Sequence, residues 1–314
     1  MNKLFSRTLI AAALALPALS YAQGIPITFD MNGGLAGQSQ TVDVLDWLPG
    51  NALAVGGNPG SGPIAAGTVT QLLFQANLGA VTLAGAPVAT GCLSGAQCFT
   101  AVAGFQERVL SNTAGSLVLG FADAPVLSAT NFFYIYANTF GNNLAGTGFA
   151  PGGGTIVMSG HVTNVLSSNY NTLGATDTRL DRFGADDHPG VGSLIGSGAT
   201  DIDVFIDSVN ALYFPSFAVG QFKFSFFNNS QVSPFKDVDP SRLFSINGVT
   251  DGGTANNVGS MNGVTDRGVN HNFQFQADAN QSFSRVVPEP ASLALVGLAL
   301  AGLGFAGRCS AKKG

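Results

Sequence analysis

Several stretches of the chain alternate between apolar and polar residues, which is the pattern of a β-strand with one buried face. In residues 68–78, one face would carry Leu72, Phe74, Ala76 and Leu78, and glutamine and asparagine would occupy the other. We therefore expect this segment to lie against a core on its apolar side.

Further strands are predicted along the body of the chain. They cover residues 116–121, 132–136, 155–165, 201–209 and 221–227. Clusters of Gly, Asn and Pro separate them, and no long segment between the two ends has a helical period. Regularly spaced short strands of this kind predict an all-β fold, an antiparallel β-sandwich or a jelly-roll-like domain.

The N-terminal end has a different pattern. A short basic segment precedes an apolar run at residues 9–19, and small residues follow at Ser20 and Ala22. This order is typical of a secretory signal peptide, which would form a signal helix and be cleaved between Ala22 and Gln23.

The C-terminal end combines a motif, an apolar segment and a basic terminus. The motif consists of Val287, Pro288, Glu289 and Pro290. Residues 291–306 would form a helix of about 25 Å, which is a marginal membrane span. Basic residues follow the apolar segment and favour a cytoplasmic C-terminus.

This tail resembles a PEP-CTERM sorting domain, with Pro288-Glu289-Pro290 at the position of the family's motif. The resemblance implies processing by an exosortase and transient insertion in the inner membrane through the tail. It also implies delivery to the cell surface or the extracellular matrix of a Gram-negative bacterium. The expected organisation is a signal peptide at 1–22, a secreted β-rich domain at 23–286 and a sorting tail at 287–314.

The charge of the chain argues against nucleic-acid binding. The chain has 18 acidic and 13 basic residues, and five of the basic ones lie in the two terminal signals. The secreted domain is therefore more acidic than the chain as a whole. A surface without a basic patch gives no attraction to phosphate backbones or anionic membranes.

Two of the three cysteines lie close together in the secreted domain. Cys92 and Cys98 would close a small loop, and export favours oxidation of such a pair. We interpret the pair as a structural disulfide, because it has neither CxxC spacing nor accompanying metal ligands.

An acidic strand offers the sharpest hypothesis for a metal site. Asp201, Asp203 and Asp207 would share the outer face of one strand, where like charges repel unless a cation or an arginine lies between them. Calcium binding is one interpretation. A solvated acidic face is the other, and the spacing matches no EF-hand loop.

No catalytic motif is found in the sequence. There is no GxSxG, P-loop lysine or HExxH, and the histidines at 161, 188 and 271 are far apart. We therefore expect a protein that is not an enzyme and that needs no cofactor, apart from the calcium considered above.

Trp47 is the only tryptophan. It would either stack on a sugar ring or fill a place in the core.

Two body segments, residues 44–53 and 273–280, resemble the flocculation-associated branch of PEP-CTERM proteins. That resemblance implies a non-catalytic adhesive or structural protein acting with exopolysaccharide in flocculation or biofilm formation. The alternative is a calcium-assisted carbohydrate-binding module that uses Trp47 or exposed tyrosines.

Overall fold

A computed structural model describes residues 24–34, 39–57, 64–90, 98–138, 154–177, 179–185, 193–217, 219, 222–238, 244–246, 249–251 and 273–285. The described part of the chain is built from strands. They are β1 (Ile27–Asp30), β2 (Ser39–Val42), β3 (Val44–Val55), β4 (Val69–Leu83), β5 (Ala86–Thr90), β6 (Cys98–Thr113), β7 (Ser116–Phe121), β8 (Phe132–Asn138), β9 (Gly154–Asp177), β10 (Ser193–Val209), β11 (Phe222–Ser233), β12 (Phe244–Ile246), β13 (Val249–Asp251) and β14 (Phe273–Arg285).

One antiparallel sheet contains most of these strands, in the order β5-β4-β3-β14-β11-β10-β9-β7-β6-β8. Strand β6 also pairs with β4, and β8 also pairs with β9. Because β6 lies next to β4 on one side and next to β7 and β8 on the other, the sheet closes on itself. The predicted all-β antiparallel fold is confirmed, and opposite walls of a single closed sheet enclose its core.

Alternation along each strand places one set of side chains in this interior. On β4, the predicted apolar face is confirmed: Leu72, Ala76 and Leu78 are buried in the main core, and Phe74 packs against it. On β10, Ile202, Val204 and Ile206 point inward in the same way. Burial of such side chains at about 25 cal/mol per Å² is the main force that holds a closed sheet together.

An aromatic cluster fills one end of the closed sheet. The ring of Phe29 on β1 lies 4.9 Å from that of Phe99 on β6 and 4.9 Å from that of Phe214. The backbone N–H of Asp30 donates to the carbonyl of Tyr213 at 2.7 Å, which fixes β1 against the segment after β10. This end of the interior is therefore packed with rings.

The outer face of β4 is not the solvated surface that its polar residues suggest. Gln75 is 0% exposed and Asn77 is 4% exposed. Leu53, Leu73, Val102 and Phe132 form a second apolar cluster on the outer side of the sheet. Strand β12 also contacts β4 and β6.

The two terminal helices expected from the sequence lie outside the described residues, as do Ala22, Gln23 and the motif at Val287, Pro288, Glu289 and Pro290. Within the described residues, no helix has the length and apolar character needed to cross a membrane.

Candidate functional sites

Trp47 is a core residue. It is 1% exposed, and its indole N–H donates to the side-chain oxygen of Gln281 at 3.0 Å. Of the two interpretations of this tryptophan, the structure supports the core position, and no face of the indole is open for a sugar ring. A tryptophan next to turn-forming residues has the same sequence context in a core as in a sugar-binding site. Only the packing of β3 distinguishes these two roles.

The three aspartates of β10 each have a different partner. Asp201 accepts a hydrogen bond from the hydroxyl of Ser167 at 3.0 Å, and Asp203 accepts one from Ser225. Asp207 lies 2.8 Å from Nδ1 of His161. Strand β10 is central in this region, so the neighbouring strands β9 and β11 supply partners to its outer face.

A shared calcium site is not seen in this arrangement. Among the described residues, no group of three or more His, Cys, Asp or Glu side chains is placed to hold a metal ion. Calcium binding by Asp201, Asp203 and Asp207 stays a prediction.

Cys98 is the first residue of β6 and is buried. Cys92 lies outside the described residues. The disulfide between them stays a prediction.

His161 is a buried residue of the sheet. It lies on β9, is 8% exposed and pairs with Phe205 across β9 and β10. The two rings are 5.4 Å apart. His188 and His271 lie outside the described residues.

The pair of His161 and Asp207 belongs to a larger surface, which we call the aromatic–acidic surface. It consists of Tyr134, Tyr136, His161, Phe205 and Asp207. Two tyrosines from β8 lie on the same outer face, with ring centroids 6.0 Å apart. Tyr134 and Phe205 are the partly exposed rings of this set, whereas Tyr136 is 7% exposed.

Electrostatics tie Tyr134 to the acidic part of the surface. Burial raises the pKa of the Tyr134 phenol, and the nearby carboxylate of Asp207 raises this pKa further. The phenol therefore stays protonated and can donate a hydrogen bond at any physiological pH. A carboxylate such as that of Asp207 accepts hydrogen bonds and donates none.

This combination suits a ligand with both apolar faces and hydroxyl groups. Exposed rings offer flat apolar contact area, and the carboxylate and the phenol offer directional hydrogen bonds. A pyranose ring has these two properties. The sequence did not show the surface because β8, β9 and β10 each contribute one or two of its residues.

Comparison with known proteins identifies the C-terminal end of the chain. Residues 286–309 match the family model of the PEP-CTERM protein-sorting motif. No curated protein and no solved structure matches the chain. The PEP-CTERM resemblance of the tail is therefore confirmed: the chain carries a PEP-CTERM sorting motif, which indicates an exported protein that an exosortase sorts to the cell envelope.

Proposed function

We propose that the protein is a non-catalytic adhesive or structural component of the cell surface and extracellular matrix. It acts in flocculation or biofilm formation by contacting exopolysaccharide. The sorting motif supports delivery to the place where this polymer lies. The observation that carries the binding role is the aromatic–acidic surface, where Tyr134 and Phe205 offer rings beside the Asp207 carboxylate.

A single contact of the kind we propose is weak, but many such contacts together bind the polymer strongly. One such surface can hold only one or two sugar rings, but many copies on a cell meet many repeats on one polymer chain. Multivalent attachment of this kind raises the overall affinity well above that of a single contact. An adhesive function therefore needs no deep cleft.

The cellular role is tested in the host by comparing cells with the gene intact, deleted, and truncated after Val287. We expect deletion to disperse the flocs, because the bridging contacts to the polymer are lost. Truncation should have the same effect, with the protein lost from the cell surface. Microscopy of flocs and fractionation of the protein measure the two results. Normal flocculation of the deletion strain would refute the adhesive role.

The binding surface is tested with the variant that carries Tyr134→Ala and Phe205→Ala together. Loss of two ring contacts of about 1 kcal/mol each should weaken binding to the host exopolysaccharide by about tenfold or more. Co-sedimentation with the purified polymer measures this change.

A matched control is Phe183→Ala, because Phe183 is a 44% exposed ring outside the aromatic–acidic surface. We expect this control to bind like the wild-type protein. If the double variant binds the polymer as well as the wild-type protein does, the aromatic–acidic surface is not the binding site. The same assay with a calcium chelator tests the alternative, since a calcium-assisted carbohydrate-binding module would lose its binding.

A further inference from the structure

The interior of the closed sheet contains polar residues at one level. Five strands, β4, β6, β9, β10 and β11, each point one polar side chain inward at this level. These residues, the interior polar cluster, are Thr70, Glu107, Ser168, Thr200 and Gln231, and each is at most 4% exposed. They lie away from the aromatic cluster. Phe99 of that cluster is at the start of β6, whereas Glu107 is in the second half of β6, where it pairs with Thr70.

Glu107 interrupts an otherwise apolar series on β6. The inward positions before it include Ala101, Ala103 and Phe105, and Val109 follows it. A carboxyl group in such a position is costly to bury, since ionised groups lose their hydration in a medium of low dielectric. Another interaction must therefore offset the free-energy cost of burying this carboxyl group.

Hydrogen bonds satisfy most of the cluster but not all of Glu107. The side-chain amide of Gln231 donates to the hydroxyl of Thr200 at 2.8 Å, and the hydroxyls of Thr200 and Ser168 are 2.9 Å apart. Ser168 in turn faces Glu107. The Oε1 atom of Glu107 is buried and has no hydrogen-bond partner among the described residues.

Glu107 also lines a cavity of about 40 Å³. Its polar wall is the interior polar cluster together with the phenol of Tyr170. The rest of the wall is apolar, with Leu72, Leu117, Phe273 and Phe275 among its residues. A second cavity of about 30 Å³ shares Leu72, Thr200 and Gln231 with the first. At roughly 10–15 Å³ for each water-sized group, the first cavity has room for about three or four heavy atoms.

We propose that this cavity is a binding site for a small aliphatic amine. The ammonium group lies at Oε1 of Glu107, and the short hydrocarbon tail lies against the apolar wall. A cation with N–H donors supplies both things that the buried carboxylate lacks, an opposite charge and a hydrogen bond. No lysine, arginine or histidine is among the described residues that line the cavity.

Binding should depend on pH in a defined direction. Burial raises the pKa of Glu107 to about 7, and the hydrogen bond from Ser168 opposes this change. The carboxylate is therefore ionised at about pH 8 and protonated at about pH 5.5. Tyr170 is the other ionisable side chain in the described wall, and burial raises the pKa of its phenol, so it stays neutral at both pH values.

The test measures thermal unfolding of the purified protein with n-propylamine, n-propanol or propionate at equal ionic strength. At about pH 8, propylamine at ten times its dissociation constant should raise Tm by about 3 °C. The alcohol and the carboxylate should raise it less, and the effect of the amine should disappear at about pH 5.5. Calorimetric titration should give one bound amine per chain.

Two variants identify the cavity as the place of binding. Glu107→Gln should lose the response to propylamine because it keeps the shape and removes the charge. Leu117→Phe should lose the response because the larger ring occupies the space while Glu107 remains. Asp201→Asn is the control for binding at carboxylates outside the cavity and should respond like the wild-type protein.

Three results would overturn the proposal. They are an equal response of the Glu107→Gln variant, an equal response to propanol and propylamine, and no response to any of the three compounds. In the last case the cavity contains water alone.

Discussion

Replacing Glu107 with glutamine should raise the free energy of unfolding at about pH 8 by about 3 kcal/mol and make it less dependent on pH. The carboxyl of Glu107 lies inside the closed sheet, where burial raises its pKa from 4.5 to about 7. In the unfolded chain the same group has an ordinary pKa. The folded protein therefore retains a proton between about pH 4.5 and 7 that the unfolded chain releases.

The sign of the effect follows from this difference. Stability falls as the pH rises through the window between the two pKa values, because the unfolded state binds fewer protons there. Above about pH 7 the carboxylate is ionised in both states, and the cost of burying the charge is constant. Glutamine keeps the shape without ionising, so it removes this cost and the slope.

Urea denaturation at a series of pH values between about 5 and 8.5 measures the prediction. The difference between the variant and the wild-type protein should grow across the window and then level off. Asp201→Asn removes a half-buried carboxylate on the outer face of β10 and is the matched control for the loss of a charge outside the core. A difference that stays the same at every pH would show that Glu107 has an ordinary pKa in the folded protein.

Replacing Trp47 with alanine should lower the free energy of unfolding by about 3–5 kcal/mol. The indole is fully enclosed by the main core, between β14 and β4, where Trp47 pairs with Ala279 and Leu78. Alanine would leave a large cavity there and remove the partner of the Gln281 oxygen. Both changes act in the folded state and cannot be relieved without moving the sheet.

Trp47→Phe separates the two contributions. Phenylalanine fills much of the space but has no N–H, so its cost should be smaller and should include about 1–3 kcal/mol for the unpaired Gln281 oxygen. Circular dichroism follows the unfolding, since both variants lack the only tryptophan. A loss below about 1 kcal/mol for Trp47→Ala would contradict the core position.

Binding of exopolysaccharide by Trp47→Phe is a further comparison. The buried indole has no exposed face, so binding should be unchanged at temperatures where the variant is folded. In contrast, the double variant at Tyr134 and Phe205 should bind weakly while remaining folded, because both rings are partly exposed. The two variants together distinguish a loss of stability from a loss of binding.

The strands themselves could be predicted because their evidence is local. Leu72, Ala76 and Leu78 share a face of β4 by simple alternation, and Ile202 and Val204 share a face of β10 in the same way. Alternation shows which residues share a face. It does not show what covers that face, which is why Gln75 on the polar side of β4 is also buried.

The candidate functional residues were harder to predict because they come together across strands. The sequence indicated Asp207 as one of three acidic residues, but its partner His161 is 46 residues away. Glu107 had a detectable signal, since it is the one charged residue in the alternating apolar series of β6. That signal indicates a charged side chain on the core-facing side of β6. It does not predict the cavity or the unpaired oxygen of Glu107, because these depend on how five strands pack together.

The sequence alone determined the sorting signal, the all-β class and the main strand faces, because each depends on the order of neighbouring residues. A motif, an apolar segment and a basic terminus act in order along the chain, and alternation repeats every two residues. The tertiary structure decided the closure of the sheet through the pairing of β4 with β6. It also placed Trp47 in the core, brought Tyr134 beside Asp207 and left space beside Glu107. These features depend on contacts between residues distant in sequence, and such contacts are selected by the packing of the whole sheet.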